Sequence, residues 1–173
     1  MTNFKEDLAR VKAFIFDIDG VLSLQTISLN SFGVPNRTVN LRDGYALQLA
    51  VKKGYFVGVI SGSSSKEYQR RLKLLGVKDI YLNSRSKSDH FDDFLKKHNL
   101  NSNNVLFMGD DIPDYKVMKQ AGIAVCPADA DNEIKQVASY ISDKKGGEGC
   151  VRDVIEQVLR LHNNWMDSDA FTW

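Results

Sequence analysis

Residues 11–22 read VKAFIFDIDGVL, and the rest of the chain is organised around them. Ala13-Phe14-Ile15-Phe16 is an unbroken apolar run of strand length. That is the pattern of a strand covered on both faces of a parallel sheet. The run leads straight into Asp17-Ile18-Asp19-Gly20. Alternation puts Asp17 and Asp19 on one side of the chain at the strand's carboxyl end, where open α/β sheets hold their ligands. Two carboxylates this close repel unless a cation or a proton lies between them. Gly20 lets the chain turn sharply and a ligand approach the backbone. Taken alone, the tetrad fits a solvated Asp-rich turn equally well, so the motifs further along must decide.

Working outward, strands and helices alternate. Residues 2–10 are a polar lead-in with room for one helical turn. Asp43 is placed to cap a helix over 44–53, which Gly54 ends. Residues 55–60 form a second apolar strand, closed by Ser61-Gly62. Ser64-Ser-Lys-Glu67 has the capping-box spacing and opens a helix to about 75. A short strand follows at 79–82, and Ser86-Lys-Ser-Asp89 opens a helix through 98. The apolar strand 105–108 ends in Gly109-Asp110-Asp111. A helix at 115–121, a strand at 122–125, a helix at 133–138, a short strand at 140–141 and an amphipathic helix at 151–162 complete the series. This alternation predicts an α/β fold whose parallel sheet is covered on both faces. The whole chain, 1–173, reads as one domain.

Three stretches break the rhythm. Residues 26–29 and 38–41 each alternate polar and apolar, with Gly33 and Pro35 between them. They predict a β-hairpin over about 24–42, placed just above the two aspartates as a flap or a subunit contact. Residues 146–149, GGEG, read as a flexible loop. The tail, about 163–173, carries two tryptophans and a phenylalanine without periodicity.

Composition removes several classes of function. The 173 residues are 43% hydrophobic and 26% charged, enough for a sizeable core. A formal net charge of +1 provides no field for recruiting nucleic acid or an anionic membrane. No apolar run approaches the roughly 18 residues of a membrane span, and the first residues lack a signal core. Cys126 and Cys150 form neither a disulfide framework nor a metal cluster. These features predict a cytoplasmic protein.

Polar groups recur just beyond the strand ends. Asp17 and Asp19 follow the first strand, Ser61 the second, and Asp110, Asp111 and Asp114 the fourth, while Lys87 opens the helix after the third. Each alone has a plain reading as a cap, a turn or a solvated side chain. Together they suit Mg²⁺ and a phosphoryl group. Mg²⁺ takes oxygen ligands, a lysine ammonium meets a nonbridging phosphate oxygen, and helix N-termini offer further N–H donors. No histidine or cysteine cluster argues for zinc, and no P-loop sequence is present.

DIDGV, ISG, a lysine and GDDxxD, in that order, resemble the four motifs of the haloacid dehalogenase superfamily of phosphotransferases. NLRDGYALQLAVKKG, GDDIPDYKVM, CPADA and GGEGCVRDVIEQVL more narrowly resemble the small 3-deoxy-D-manno-octulosonate 8-phosphate (KDO 8-phosphate) phosphatases of lipopolysaccharide sugar biosynthesis. The resemblance implies a Rossmann-like three-layer sandwich with a minimal cap reduced to the hairpin. It implies an aspartyl-phosphate route with Asp17 as nucleophile and Asp19 as acid and base. Mg²⁺ would be held by Asp17, the Asp19 carbonyl and Asp110. Ser61, Gly62 and Lys87 would bind the phosphoryl group, Asp114 would orient Lys87, and Asp111 would support the metal's water shell. Asn40, Leu41, Arg42, Asp43, Gly44 and Arg71 match sugar-binding positions. The resemblance also implies a homotetramer in which a neighbouring subunit, or its tail, helps close each site. Neither nucleic acid nor membrane is an expected partner.

Two departures bear on the substrate. The family usually has an arginine soon after the Ser/Thr-Gly of its second motif, where this chain has Ser63-Ser64-Ser65. Arg42, Arg71 or Lys66 would have to replace that charge. GGEG also occurs in related phosphatases of nine-carbon sialic-type 9-phosphates, which are the alternative substrates. Two other classes retain the acidic site. One is a phosphoacceptor module of the response-regulator type, in which GDDxxD has no role. The other is a non-catalytic regulatory subunit. Mutase or protein phosphatase chemistry is a further option.

Overall fold

The computed structural model describes residues 4–172. Its frame is a six-stranded, fully parallel sheet in the order β3-β2-β1-β4-β5-β6. The strands are β1 (Ala13–Phe16), β2 (Phe56–Ile60), β3 (Asp79–Tyr81), β4 (Val105–Met108), β5 (Ile123–Cys126) and β6 (Tyr140–Ile141). The helices are α1 (Phe4–Leu8), α2 (Leu41–Lys52), α3 (Lys66–Leu74), α4 (Lys87–His98), α5 (Tyr115–Gln120), α6 (Asn132–Val137) and α7 (Cys150–Leu161). Residues 2 and 3 of the lead-in and Trp173 of the tail lie outside the described residues.

The apolar run that opened the analysis is the central strand, and its side chains divide between two cores. Phe14 and Phe16 face α2, α3 and α7, whereas Ala13 and Ile15 face α4, α5 and α6. Strand β4 divides likewise, with Leu106 and Met108 on one side and Val105 and Phe107 on the other. The period-2 alternation of a strand therefore produces three layers from a continuous apolar run, because both faces are covered. The strand order reverses at β1, and the carboxyl ends of β1, β2 and β4 lie side by side there.

Several expected local features differ. Helix α2 begins at Leu41 and is capped by Asn40, whose side chain accepts from Arg42 N and Asp43 N. Asp43 caps a different helix. Its carboxylate accepts from the Arg152 backbone N–H at 2.7 Å, in the first turn of α7, whose own N-cap, Gly149, has no side chain to do so. Helix α3 is capped by Ser65, one residue later than the capping-box spacing indicated. The GGEG stretch is packed rather than loose. A Cβ on Gly146 would overlap the Gly20 carbonyl, and Gly147 N donates to Val21 O at 2.8 Å.

The 24–40 arm retains only the turn of the expected hairpin. Leu29 and Pro35 form a single antiparallel bridge, with Asn36 N donating to Ser28 O and Asn30 N to Val34 O. No ladder joins 26–29 to 38–41. Most of the apolar half of the alternation has nothing to pack on: Ile27 is half-buried, but Leu29, Val34, Val39 and Leu41 are exposed, and Phe32 is 89% exposed. Strand propensity acts through side-chain packing, which is missing here. The tail folds back on its own chain. Lys53 pairs with Asp167 and Asp169, and Tyr45 Oη donates to Ala170 O.

Candidate active site

The site is built where β1 and β4 run side by side. Asp17 N donates to Met108 O at 3.1 Å, which continues the ladder one residue past β1 and sets Asp17 beside Gly109-Asp110. Asp17, Asp110 and Asp114 each present an oxygen within 4.8 Å of the others, and all three are buried. Lys87, the first residue of α4, reaches in from the far side of β1. Its Nζ donates to Asp17 Oδ2 at 2.6 Å and to Asp114 Oδ1 at 2.7 Å. The other Asp114 oxygen accepts from Asp110 N at 3.2 Å. Asp114 is thus fully engaged with protein donors and holds Lys87 in place.

Burial lowers the Lys87 pKa, but the Asp17 and Asp114 carboxylates outweigh that effect and hold the ammonium above its ordinary value. Asp110 differs. Burial pushes its carboxyl up to about 7, with a hydrogen bond from Gln25 opposing the shift and the Asp114 and Asp17 charges adding to it. One of its oxygens accepts from Gln25 Nε2 at 3.1 Å, and the other is buried with no partner. An orphaned carboxylate oxygen beside Asp17, in an all-oxygen donor set, fits a divalent hard cation such as Mg²⁺. Gly20 makes that closeness possible: its φ is +81°, and a Cβ there would overlap the Asp110 carboxylate.

These groups line an open cleft of about 720 Å³ together with Asp19, Ser61 and Gly62. Ser61 follows β2, is buried, and accepts from Ser63 N. Asp111 is exposed in the cleft wall and accepts from Ile112 N, which caps a 3-10 turn over Ile112–Asp114. Asp19 is turned toward the arm, where Arg37 Nε and Nη2 donate to its two oxygens at 2.7 and 2.9 Å.

The positions expected to bind sugar do not line this cleft within one chain. Asn40 and Arg42 line a separate groove beside α7. Asp43 and Gly44 lie in the packing between α2 and α3. Arg71 faces a cavity between α3 and the arm, and Leu41 is exposed on the surface. Conversely, Gln25, Arg37, Arg85 and Asp129 stand in or against the site; Asp129 belongs to the CPADA stretch but was not singled out, and the other three carry no local motif. Their roles come from contacts that no spacing rule covers.

This site, at the switch point of a parallel sheet, is that of a haloacid dehalogenase-like hydrolase, and the family model of that description matches residues 76–155. The 3-deoxy-D-manno-octulosonate 8-phosphate phosphatase KdsC of Salmonella typhi is 34% identical over 149 residues, covering 86% of this chain and 79% of that protein. The crystal structure of the Moraxella catarrhalis 3-deoxy-D-manno-octulosonate 8-phosphate phosphatase, in complex with a magnesium ion, a phosphate ion and KDO, superposes with a TM-score of 0.90. It is 32% identical and covers 99% of this chain and 97% of that one. The Yersinia pestis phosphatase of the same name gives 0.90 at 29% identity, over 94% and 88% of the two chains. The chain belongs to the KDO 8-phosphate phosphatase family of haloacid dehalogenase-like hydrolases.

Proposed function

We propose that the chain hydrolyses KDO 8-phosphate to KDO and phosphate through an aspartyl-phosphate intermediate. The observation that carries the reading is the Asp17–Lys87–Asp114 bridge set against the orphaned Asp110 oxygen. It supplies a positioned nucleophile, a fixed positive charge and a metal ligand in one cleft. Family membership supports the substrate.

Asp17 attacks phosphorus in line with the departing sugar oxygen. Asp19 gives that oxygen a proton, then takes one from the water that opens the acyl phosphate. Lys87, steadied by Asp114, and Ser61 with the Gly62 backbone hold the phosphoryl oxygens. Asp17, the Asp19 carbonyl and Asp110 would hold Mg²⁺, with Asp111 beside its waters. The ion, when bound, supplies positive charge to the phosphoryl group.

The whole chain acts as one hydrolase domain. The exposed apolar arm supports assembly into a homotetramer, in which Asn40, Leu41, Arg42, Asp43, Gly44 and Arg71 would act on sugar, from the same or a neighbouring subunit. Among the described residues no helix is long and apolar enough to cross a membrane, and both cysteines are free and buried. A reducing cytoplasm suits them.

Phosphate release with Mg²⁺ tests the reading on three substrates: KDO 8-phosphate, a nine-carbon 2-keto-3-deoxy sugar acid 9-phosphate, and glucose 6-phosphate. A preference for the first is expected. A preference for the second moves the chain to the nine-carbon acids, and equal slow rates on all three sink the substrate assignment.

A further inference from the structure

Two loops meet along one side of the cleft. The 61–63 loop follows β2 and carries Ser61 and Gly62. The 83–86 loop runs from β3 into α4. Asn83 N donates to Ser63 O at 2.9 Å, and Ser84 N donates to Ser61 O at 3.0 Å. Asn83 takes a left-handed backbone here, with φ +53°, which its short polar side chain tolerates. Ser84 Oγ and His90 Nδ1 share a hydrogen bond of 2.8 Å, and Ser86 caps α4 by accepting from Asp89 N. Arg85 is therefore held between two anchored residues, next to the loop proposed to grip phosphate.

The Arg85 side chain itself is uncommitted. It is exposed in the cleft wall, and its guanidinium has no ion pair or hydrogen bond among the described residues. Its surroundings are acidic. Seven aspartates line the same cleft, and the one other cation in that lining, Lys87, is engaged by Asp17 and Asp114. A second anionic group on a phosphate ester is repelled from most of this wall. Arg85 offers it five free N–H donors in a fork that matches a carboxylate. Arg42 and Arg71 border other spaces, and Lys66, at the start of α3, does not line the cleft.

We propose that Arg85 is the specificity-determining residue that receives the substrate's carboxylate, while Ser61 and Lys87 hold the phosphoryl group. The assignment rests on the reading above, in which the substrate is a sugar acid phosphate. The carboxylate lies at the far end of the sugar from the reacting phosphorus, so the pair forms equally in ground state and transition state. Its contribution therefore falls on KM rather than on kcat.

Phosphate release with Mg²⁺ tests this for wild type, Arg85→Gln and Arg85→Lys on KDO 8-phosphate and on its C1 carboxamide, which keeps sugar and phosphate but loses the charge. Wild type should show a KM for the carboxamide higher by about tenfold or more. Arg85→Gln should raise KM for KDO 8-phosphate by a similar factor. It should leave unchanged the carboxamide KM and the inhibition constant of inorganic phosphate. Arg85→Lys, which keeps the charge without the fork, should recover part of the loss. Arg85→Ala, with the same expectation as Arg85→Gln, serves if the glutamine variant does not fold by circular dichroism. Equal KM rises on both esters, or weaker inhibition by inorganic phosphate, overturn the assignment and place Arg85 in the phosphoryl site. An unchanged KM for KDO 8-phosphate overturns it as well. Wild type that does not distinguish the two esters overturns the assignment and leaves the hydrolase reading standing. Wild type inert on both overturns the hydrolase reading and the assignment with it.

Discussion

Asp17 is the proposed nucleophile, and its neighbours explain why it can be replaced without losing the fold. It accepts from Ile18 N and from Lys87, and an asparagine oxygen can keep one of those bonds. Asp17→Asn should keep its thermal unfolding profile while phosphate release falls by roughly 10⁴-fold or more. Wild-type turnover in that variant would end the aspartyl-phosphate proposal. At this scale the sequence was a good guide. Asp17, Asp110 and Lys87 each sit within two residues of a strand or helix end, and element ends are legible from periodicity. Arg37 and Gln25 were not legible. Arg37 meets a residue 18 positions earlier, and Gln25 one 85 positions later.

At the scale of elements, the first turns of α2 and α7 are joined through Asp43. Its carboxylate serves the α7 N-terminus, yet its second oxygen is buried without a partner. Burial pushes its pKa from 3.8 to about 6, against the lowering effect of the Arg152 and Gly149 backbone N–H groups. A folded pKa above the unfolded one means that the native state binds more protons between the two values. The contribution is therefore fully favourable below about pH 4 and is lost as pH rises through about 6. The loss is about 3 kcal/mol. Asp43→Asn should flatten this part of the stability curve in urea unfolding between pH 4 and pH 7. An unchanged slope would place the titration elsewhere. The β1–α2 loop makes a second prediction. Gly20→Ala strains a φ of +81° and drives a methyl group into Asp110. Mg²⁺ affinity by calorimetry should fall by about tenfold or more, because ligand placement tolerates errors of only about 0.5 Å.

For the whole molecule, the arm is the part that one chain leaves unfinished. Its apolar residues alternate as a strand would, but one copy leaves Leu29, Phe32, Val34 and Val39 exposed. Exposed apolar side chains gathered on one element mark an association surface. Phe32→Asp combined with Leu29→Asp should shift the protein to monomer in analytical ultracentrifugation and raise KM for KDO 8-phosphate. A tetramer that survives both charges would place the subunit contact elsewhere.

The sequence by itself determined the three-layer sheet, the strand ends that carry Asp17, Ser61 and Asp110, and the lysine at the start of α4. Those features rest on local period and on groups a few residues apart. Only the tertiary structure decided that Asp43 caps α7 rather than α2, that GGEG packs against the Gly20 loop, and that the arm closes by a single bridge. It also decided that Arg37 holds Asp19 while Arg42 faces away from the cleft. Each of these depends on which distant surface supplies the partner for a polar group or an apolar side chain, and a spacing along the chain does not contain that information.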